Sequence, residues 1–291
     1  MQVCRTIVLA GGFLVASSLL FAQVTAGGKQ EFEAASVRPD DSGQHKPASF
    51  PLTDDDSFPG GNTLFHADFT LDTYITFAYK VWETPNLRRE MLAGQPGWVG
   101  DQYFRIQARM PENATKDQVR SMMQSLLAER FGLKVHFESR DTPVLALTLA
   151  KRGVLGPKLR PHEEGRGCSV APSSDADVFP LTCGTTEMKR TGPLVVVGAR
   201  NVTMDKLASF LSTFGPLDDQ FAREVIDQTG LQGRYDYTVE FARKSLRDSA
   251  AVDTGPSLME ALSDQLGMKL TPKRAVVQRL IIDHVERPLS N

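Results

Sequence analysis

The second half of this chain repeats the pattern of residue types in the first half, and this limits the folds that it can adopt. Gly100 recurs as Gly233 at an offset of 133, and Gly132 recurs as Gly267 at an offset of 135. Because paired glycines in the same order rarely arise by chance, the pattern predicts an internal duplication. Apolar positions match at the same two offsets: Tyr74 with Leu207, Phe77 with Phe210, Phe104 with Tyr237, Ile106 with Val239, Leu127 with Leu262 and Leu145 with Leu280.

The two copies share one predicted order of elements: a strand, a helix, a strand, a second helix and two short strands. A threonine precedes the first helix, and its hydroxyl is expected to accept a hydrogen bond from a free N–H group. A capping box begins the second helix and a glycine ends it. These markers are Thr70, Thr115, Gln118 and Gly132 in the first copy and Thr203, Ser257, Glu260 and Gly267 in the second. The short closing strands are predicted at 133–137 and 144–149, and again at 268–271 and 277–285.

This order predicts an α+β fold of two tandem modules, each with two helices packed on a small mixed or antiparallel sheet. The first module spans residues 27–152 and includes a leading strand at 31–37, and the second module spans 194–291. Residues 153–193 lie between them and are rich in Gly, Pro and Ser, which is typical of a linker.

The N-terminus has the three parts of a secretory signal peptide, with Arg5 as the positive residue and an uncharged apolar segment at 6–21. Small residues permit cleavage after Ala22 or Ala26, so residues 1–26 are predicted to be the signal peptide. The protein is therefore expected to be exported, either to the periplasm or outside the cell. An uncleaved N-terminal anchor is the alternative, although the apolar segment is short for a span of about 20 residues.

The charge balance excludes one class of partner. Lys and Arg number 33 against 35 Asp and Glu, a formal net charge of −2, and removal of Arg5 with the signal leaves 32 against 35. A weakly acidic chain without a basic stripe is a poor binder of nucleic acid. After signal cleavage no apolar segment is long enough to cross a bilayer, so no integral membrane segment is expected.

Two cysteines remain after the signal is removed, Cys168 and Cys183, and both lie in the predicted linker. In an oxidising compartment they are expected to form a disulfide, which contributes about 3 kcal/mol for a loop of this length. Two free thiols, or half of a zinc site completed by His162, are the alternatives. Zinc sites usually have closer ligand spacing, such as C-x-x-C.

No motif in the sequence assigns a chemical reaction. A phosphate loop, a nucleophile elbow, a dinucleotide fingerprint and an H-E-x-x-H motif are all missing, so no catalytic, cofactor or metal residue is assigned. Two possible contact residues are Trp82, a candidate exposed aromatic for a sugar or a peptide, and His284, which lies between Asp283 and Glu286 and alternates with Ile282 on the last predicted strand. A solvent-facing histidine paired with a carboxylate is the structural alternative for His284, and Trp98 is predicted to lie in the core.

Several short motifs carry a family resemblance. They are Phe32-Glu33-Ala34-Ala35-Ser36-Val37-Arg38-Pro39, Pro96-Gly97-Trp98, Leu126-Leu127-Ala128-Glu129-Arg130-Phe131, Gly156-Pro157-Lys158-Leu159, Asp227-Gln228-Thr229-Gly230-Leu231 and Ile282-Asp283-His284-Val285-Glu286. With them the chain resembles a large paralogous family of secreted proteins of unknown function in Solibacter-type soil bacteria. The resemblance implies export and this body plan, and it implies no activity.

A second resemblance concerns the second copy. Its helix after Asn201-Val202-Thr203-Met204, its later run Gly267-Met268-Lys269-Leu270 and its closing strand are similar to the short periplasmic module of secretins and TonB-dependent receptors. Those modules bind partner proteins, which the resemblance implies for this chain.

The expected function is non-catalytic binding in the cell envelope, with another envelope protein or a cell-wall component as the partner. One route is strand addition at an open sheet edge, for which the predicted strand at 277–285 is the candidate. A secreted hydrolase that uses scattered carboxylates is the alternative function.

Overall fold

The computed structural model describes most of the chain after the predicted signal peptide. The described residues are 30–53, 58, 61–81, 84–163, 183–213, 223–242 and 255–288. Three sequence predictions therefore lie outside the described residues: the signal peptide at 1–26, the position of Trp82 and the position of Cys168.

Helices packed on three small sheets make up the described chain, so the predicted α+β class is confirmed. The elements in order are β1 (Ala34–Pro39), β2 (Leu64–Thr70), α1 (Leu71–Ala78), α2 (Pro85–Leu92), α3 (Trp98–Asp101), β3 (Tyr103–Arg109), α4 (Lys116–Phe131), β4 (Lys134–Leu149), β5 (Leu159–Pro161), β6 (Thr186–Thr191), β7 (Leu194–Val202), α5 (Met204–Ser212), β8 (Val225–Asp227), β9 (Tyr235–Ala242), α6 (Leu258–Ala261), a π-helical turn (Leu262–Leu266) and β10 (Met268–His284).

Each half contains one antiparallel sheet of its own. The first sheet has the order β1-β3-β2, and its β1 is the leading strand that was predicted near residues 31–37. The second sheet has the order β5-β9-β7-β6. Because β5 and β6 fall within residues 153–193, the prediction that this whole segment is a linker was wrong: its two ends pair with the second sheet.

The third sheet joins the two halves. Strands β4 and β10 pair antiparallel along their length, from Lys134 opposite His284 to Leu149 opposite Met268, and we call this pair the ribbon. The prediction of two short strands at the end of each half was therefore wrong, because each half ends in one continuous strand that pairs with the last strand of the other half.

Two prolines lie inside the ribbon without breaking it. Pro272 pairs with Leu145, whose own N–H points away from β10 and donates to the carbonyl of Glu224 at 2.8 Å. The two residues therefore form a non-hydrogen-bonded antiparallel pair, in which neither N–H joins β4 to β10, so a proline removes no hydrogen bond. Pro143 belongs to the next non-hydrogen-bonded pair along the ribbon, in which it lies opposite Arg274.

Each hydrophobic core is completed by a strand from the other half. Leu280 and Ile282 of β10 are buried in the core formed by the first sheet and α4. Leu145 and Leu147 of β4 are buried in the core formed by the second sheet and α5. The element order of strand, helix, strand, helix and long strand occurs in both halves, and a common origin of the halves stays a prediction.

Most helix ends follow the sequence prediction. The capping boxes at Thr115 and Ser257 form as predicted, and the hydroxyl of Thr203 accepts from Lys206 N–H at 3.4 Å. Thr70 is the exception, because its hydroxyl lies 3.2 Å from the hydroxyl of Thr73 and caps no backbone N–H. The glycines that end the second helices, Gly132 and Gly267, have φ values of 57° and 70°, the left-handed conformation that favours glycine.

The phenol of Tyr74 joins helix α1 to the first sheet. Its oxygen lies 2.7 Å from the carbonyl of Ala67 and 2.8 Å from that of Phe104, and it accepts from Phe69 N–H at 3.2 Å. Burial raises the pKa of Tyr74 well above its ordinary value, so the group stays protonated and able to donate.

We expect Tyr74→Phe to lower the free energy of unfolding by about 1.5 kcal/mol, because a buried hydrogen-bonding oxygen is lost. Urea denaturation followed by circular dichroism measures the change. Tyr79→Phe is the control, since Tyr79 is only partly buried. Equal unfolding midpoints for the two variants would show that the Tyr74 hydroxyl contributes nothing.

Candidate functional site

A cleft of about 340 Å³ lies where the two halves meet along the ribbon. We call it the edge cleft. It is bounded by the end of α1 and by α2 from the first half, by α5 from the second half, and by consecutive residues of β10. The residues that line it include Tyr79, Lys80, Arg88, Glu90, Met91, Phe137, Arg140, Glu224, Gln278 and Arg279.

One side of the edge cleft is aromatic and apolar. The rings of Tyr79 and Phe137 meet edge to face with centroids 6.5 Å apart, and the side chain of Met91 is buried beside them. Phe137 remains 50% exposed, which is unusual for a large apolar side chain on a strand. Partial burial raises the pKa of Tyr79. This side can therefore receive an apolar side chain from outside.

The other side of the edge cleft is built on Arg279. Its side chain is only 7% exposed and reaches carboxylates from both halves: Glu90 of α2 at 3.4 Å and Glu224, just before β8, at 2.8 Å. A buried guanidinium needs such partners, because the loss of water is offset only by well-placed acceptors. Arg279 thus ties the two halves together at the base of the cleft.

Further ion pairs surround the edge cleft. Arg88 contacts the buried carboxylate of Asp72 at 2.5 Å and donates to the carbonyl of Gly100 at 2.9 Å. Arg140 contacts Glu138 at 2.9 Å, and this hydrogen bond raises the pKa of Arg140. The cations that line the cleft therefore already have partners, so its walls carry little uncompensated charge.

Strand β10 is the edge of its sheet, whose order is β10-β4-β8. On the outer side of β10 the carbonyl of Ile282 accepts from the side chain of Gln95 at 2.9 Å. The N–H and C=O groups of every second residue of a strand point to the same side. Those of Val276, Gln278 and Leu280 therefore point away from β4, as those of Ile282 do. Within the described ranges, no third strand pairs with β10 on this side.

The predicted contact residues are not at the edge cleft. His284 lies at the end of β10, 46% exposed, with its Nε2 atom 2.7 Å from Glu286. This is the carboxylate-paired arrangement that the sequence favoured, and a contact role for His284 stays a prediction. Trp82 lies outside the described residues, although the preceding residue, Val81, lines the cleft.

The residues of the predicted linker are placed only in part. Cys183 lies in the turn before β6, and a disulfide between Cys168 and Cys183 stays a prediction because Cys168 is outside the described ranges. His162, the third residue of the alternative zinc site, lies 2.7 Å from the carboxylate of Asp236 through its Nδ1 atom.

The prediction that Trp98 belongs to the core is confirmed. Its ring packs on the first core, with ring centroids 6.0 Å from Phe104 and 6.4 Å from Phe131. The guanidinium of Arg287 lies over the outer face of the same ring at 5.3 Å.

Sequence reasoning missed the residues that build the edge cleft. A signal for Arg279 does exist. It lies two residues from both Val277 and Ile281, so the three side chains share one face of the strand, and the two apolar neighbours indicate that this face is buried. For the exposure of Phe137 no sequence signal exists, since its neighbours come from elements far away along the chain.

Two features are absent from the residues that the structure describes. In the portions of the chain that the structure describes, no cluster of three or more His, Cys, Asp or Glu side chains is arranged to hold a metal ion. No helix within those same portions is both long and apolar enough to span a membrane.

These observations define an α+β protein whose two halves exchange strands and meet at a cleft beside an edge strand. Residues 72–285 match a family described as "Protein of unknown function (DUF3738)", and the chain belongs to that family. Comparison with curated proteins and with solved structures yields no significant match. The resemblances to the Solibacter-type family and to the periplasmic module of secretins stay expectations.

Proposed function

We propose that this protein is an exported, non-catalytic binding protein that captures an extended segment of another envelope protein. The segment adds as a strand to the outer edge of β10, and one of its apolar side chains enters the edge cleft between Tyr79 and Phe137. The observation that carries the proposal is that β10, which has no strand on its outer side among the described residues, also lines a partly apolar cleft. The predicted signal peptide supports the proposed location.

The geometry of the edge suits strand addition. The outer N–H and C=O groups of alternate β10 residues are spaced as in any antiparallel ladder, so a partner strand gains main-chain hydrogen bonds without a change in β10. Val276 is 69% exposed at the open end of this edge, and Phe137 is half exposed at the cleft. Exposed apolar residues beside an unpaired edge are typical of a covered surface.

We expect Gln278→Pro to abolish partner capture and leave the fold intact. The N–H of Gln278 points to the outer edge, so proline removes a donor to the partner and none to β4, as Pro272 already does. A photo-crosslinking amino acid at position 276, in protein returned to the envelope of its host, measures capture. Loss of the crosslinked product in the Gln278→Pro background is the expected result.

Ser139→Pro is the matched control. Ser139 lies directly opposite Gln278 on the ribbon, and its N–H points to the other edge, on the β4 side. Both variants lose the 2.9 Å hydrogen bond between these two side chains. They therefore differ only in the edge at which an N–H is lost, the outer edge of β10 for Gln278→Pro and the β4 side for Ser139→Pro. If Ser139→Pro abolishes capture as well, or if Gln278→Pro retains it, strand addition at β10 is wrong.

A further inference from the structure

Beyond the edge cleft, the open part of β10 carries an uncompensated positive charge. Lys273 contacts only the neutral side chain of Gln228, at 2.8 Å, and among the described residues no carboxylate pairs with it. Its neighbour Arg274 contacts Asp141 at 3.0 Å, but both side chains are largely exposed, 62% and 58%, so water weakens this pair. Two cations therefore face one carboxylate along this stretch.

The two cations lie on opposite faces of the ribbon. Successive side chains of a strand alternate between faces, so Lys273 presents its charge on one face and Arg274 on the other. A strand added to β10 would place its own side chains beside the Cβ atoms of both residues, so the two long side chains need only turn from Gln228 and Asp141, which lie on the β4 side, towards the added strand. An acidic residue on the added strand would thus meet a cation whichever face it occupied.

We infer that the captured segment is acidic at one end and apolar at the other. Lys273 lies five residues from Gln278, about 16 Å along the strand, which sets the spacing between the carboxylates of the segment and the side chain that enters the cleft. This inference rests on the proposed function and adds the chemistry of the partner to it.

Three synthetic peptides test the inference. Each has about ten residues of alternating threonine and valine with one leucine, and a pair of aspartates, asparagines or lysines lies five residues from the leucine. We expect the aspartate peptide to bind about fivefold more tightly than the asparagine peptide and the lysine peptide to bind most weakly. Fluorescence anisotropy at low ionic strength measures the three affinities, and added salt should reduce the differences.

We expect Lys273→Glu to reverse the order of the three peptides, because the charge beside the segment changes sign. Lys46→Glu makes the same change in net charge at an exposed lysine of the first half and should leave the order unchanged. Circular dichroism confirms that both variants are folded.

Two failures are distinguishable. If the aspartate peptide binds no better than the asparagine peptide, or if Lys273→Glu leaves the order unchanged, the inference about charge is wrong while strand addition still holds. If none of the three peptides binds, or if all bind equally well to Gln278→Pro, the proposed function fails and this inference with it.

Discussion

Gly156→Ala is expected to lower the free energy of unfolding by about 3 kcal/mol, because an added methyl group would overlap backbone. The Cβ atom would meet the carbonyl oxygen of Gln265, the carbonyl carbon of Leu266 and the amide of Gly267 closer than real Cβ atoms approach. Backbone atoms in a packed turn cannot move aside cheaply. The variant would also lose the 3.0 Å hydrogen bond from Gly156 N–H to the carbonyl of Leu266 if the loop shifted.

Gly97→Ala is the matched control. It also adds one methyl group to a glycine of the motifs quoted above, but the nearest atom is a flexible one, Oδ2 of Asp101, at the ordinary contact distance of 3.5 Å. Its backbone is helical, with φ of −54°, which alanine adopts without strain. Urea denaturation should therefore give a midpoint near that of the parent protein for Gly97→Ala and a much lower one for Gly156→Ala. Similar midpoints would contradict the close packing of residue 156.

Arg279→Met is expected to lower the free energy of unfolding by about 3 kcal/mol, a value at the low end for a broken buried ion pair because Glu90 is half exposed. Methionine fills a similar volume, so the loss would reflect the ion pairs more than packing. Glu224, which is only 25% exposed, would lose its cation and remain partly desolvated. The two halves would be joined less firmly at the base of the edge cleft.

Arg140→Met separates burial from charge. Arg140 lies on the same ribbon and contacts Glu138, but its side chain is 44% exposed, so its removal should leave the unfolding midpoint nearly unchanged. The double variant Arg279→Met with Glu224→Gln should recover part of the lost stability, because the stranded charge is removed as well. If Arg140→Met lowers the unfolding midpoint as much as Arg279→Met does, the burial of Arg279 does not explain its contribution to stability.

The edge cleft shows why a site of this kind is hard to predict. Sequence patterns predicted the edge strand itself, at 277–285, but gave no role to Arg279. They contained no information about which carboxylates would meet it, because Glu90 and Glu224 lie far away along the chain. Sequence patterns therefore favoured isolated conspicuous residues, such as Trp82 and His284, over a cleft assembled from ordinary ones.

Local features of this protein were determined by the sequence alone. Two capping boxes and the glycines that end the second helices depend on residues within a few positions of each other, so short-range hydrogen bonds and backbone sterics decide them. The α+β class followed from the alternation of helical and strand periods. Even Thr70, whose hydroxyl contacts Thr73, marks the correct start of its helix.

Strand pairing was decided only by the tertiary structure. The alternation of residues in β4 and β10 shows which side chains face a core, but it does not show which strand lies alongside. Each long strand pairs with its counterpart from the other half, so Leu280 and Ile282 complete the first core and Leu145 and Leu147 complete the second. In this arrangement β10 lies at the edge of its sheet. The sequence could not determine this, because the pairing joins strands far apart in the chain and depends on how both cores bury their apolar surface together.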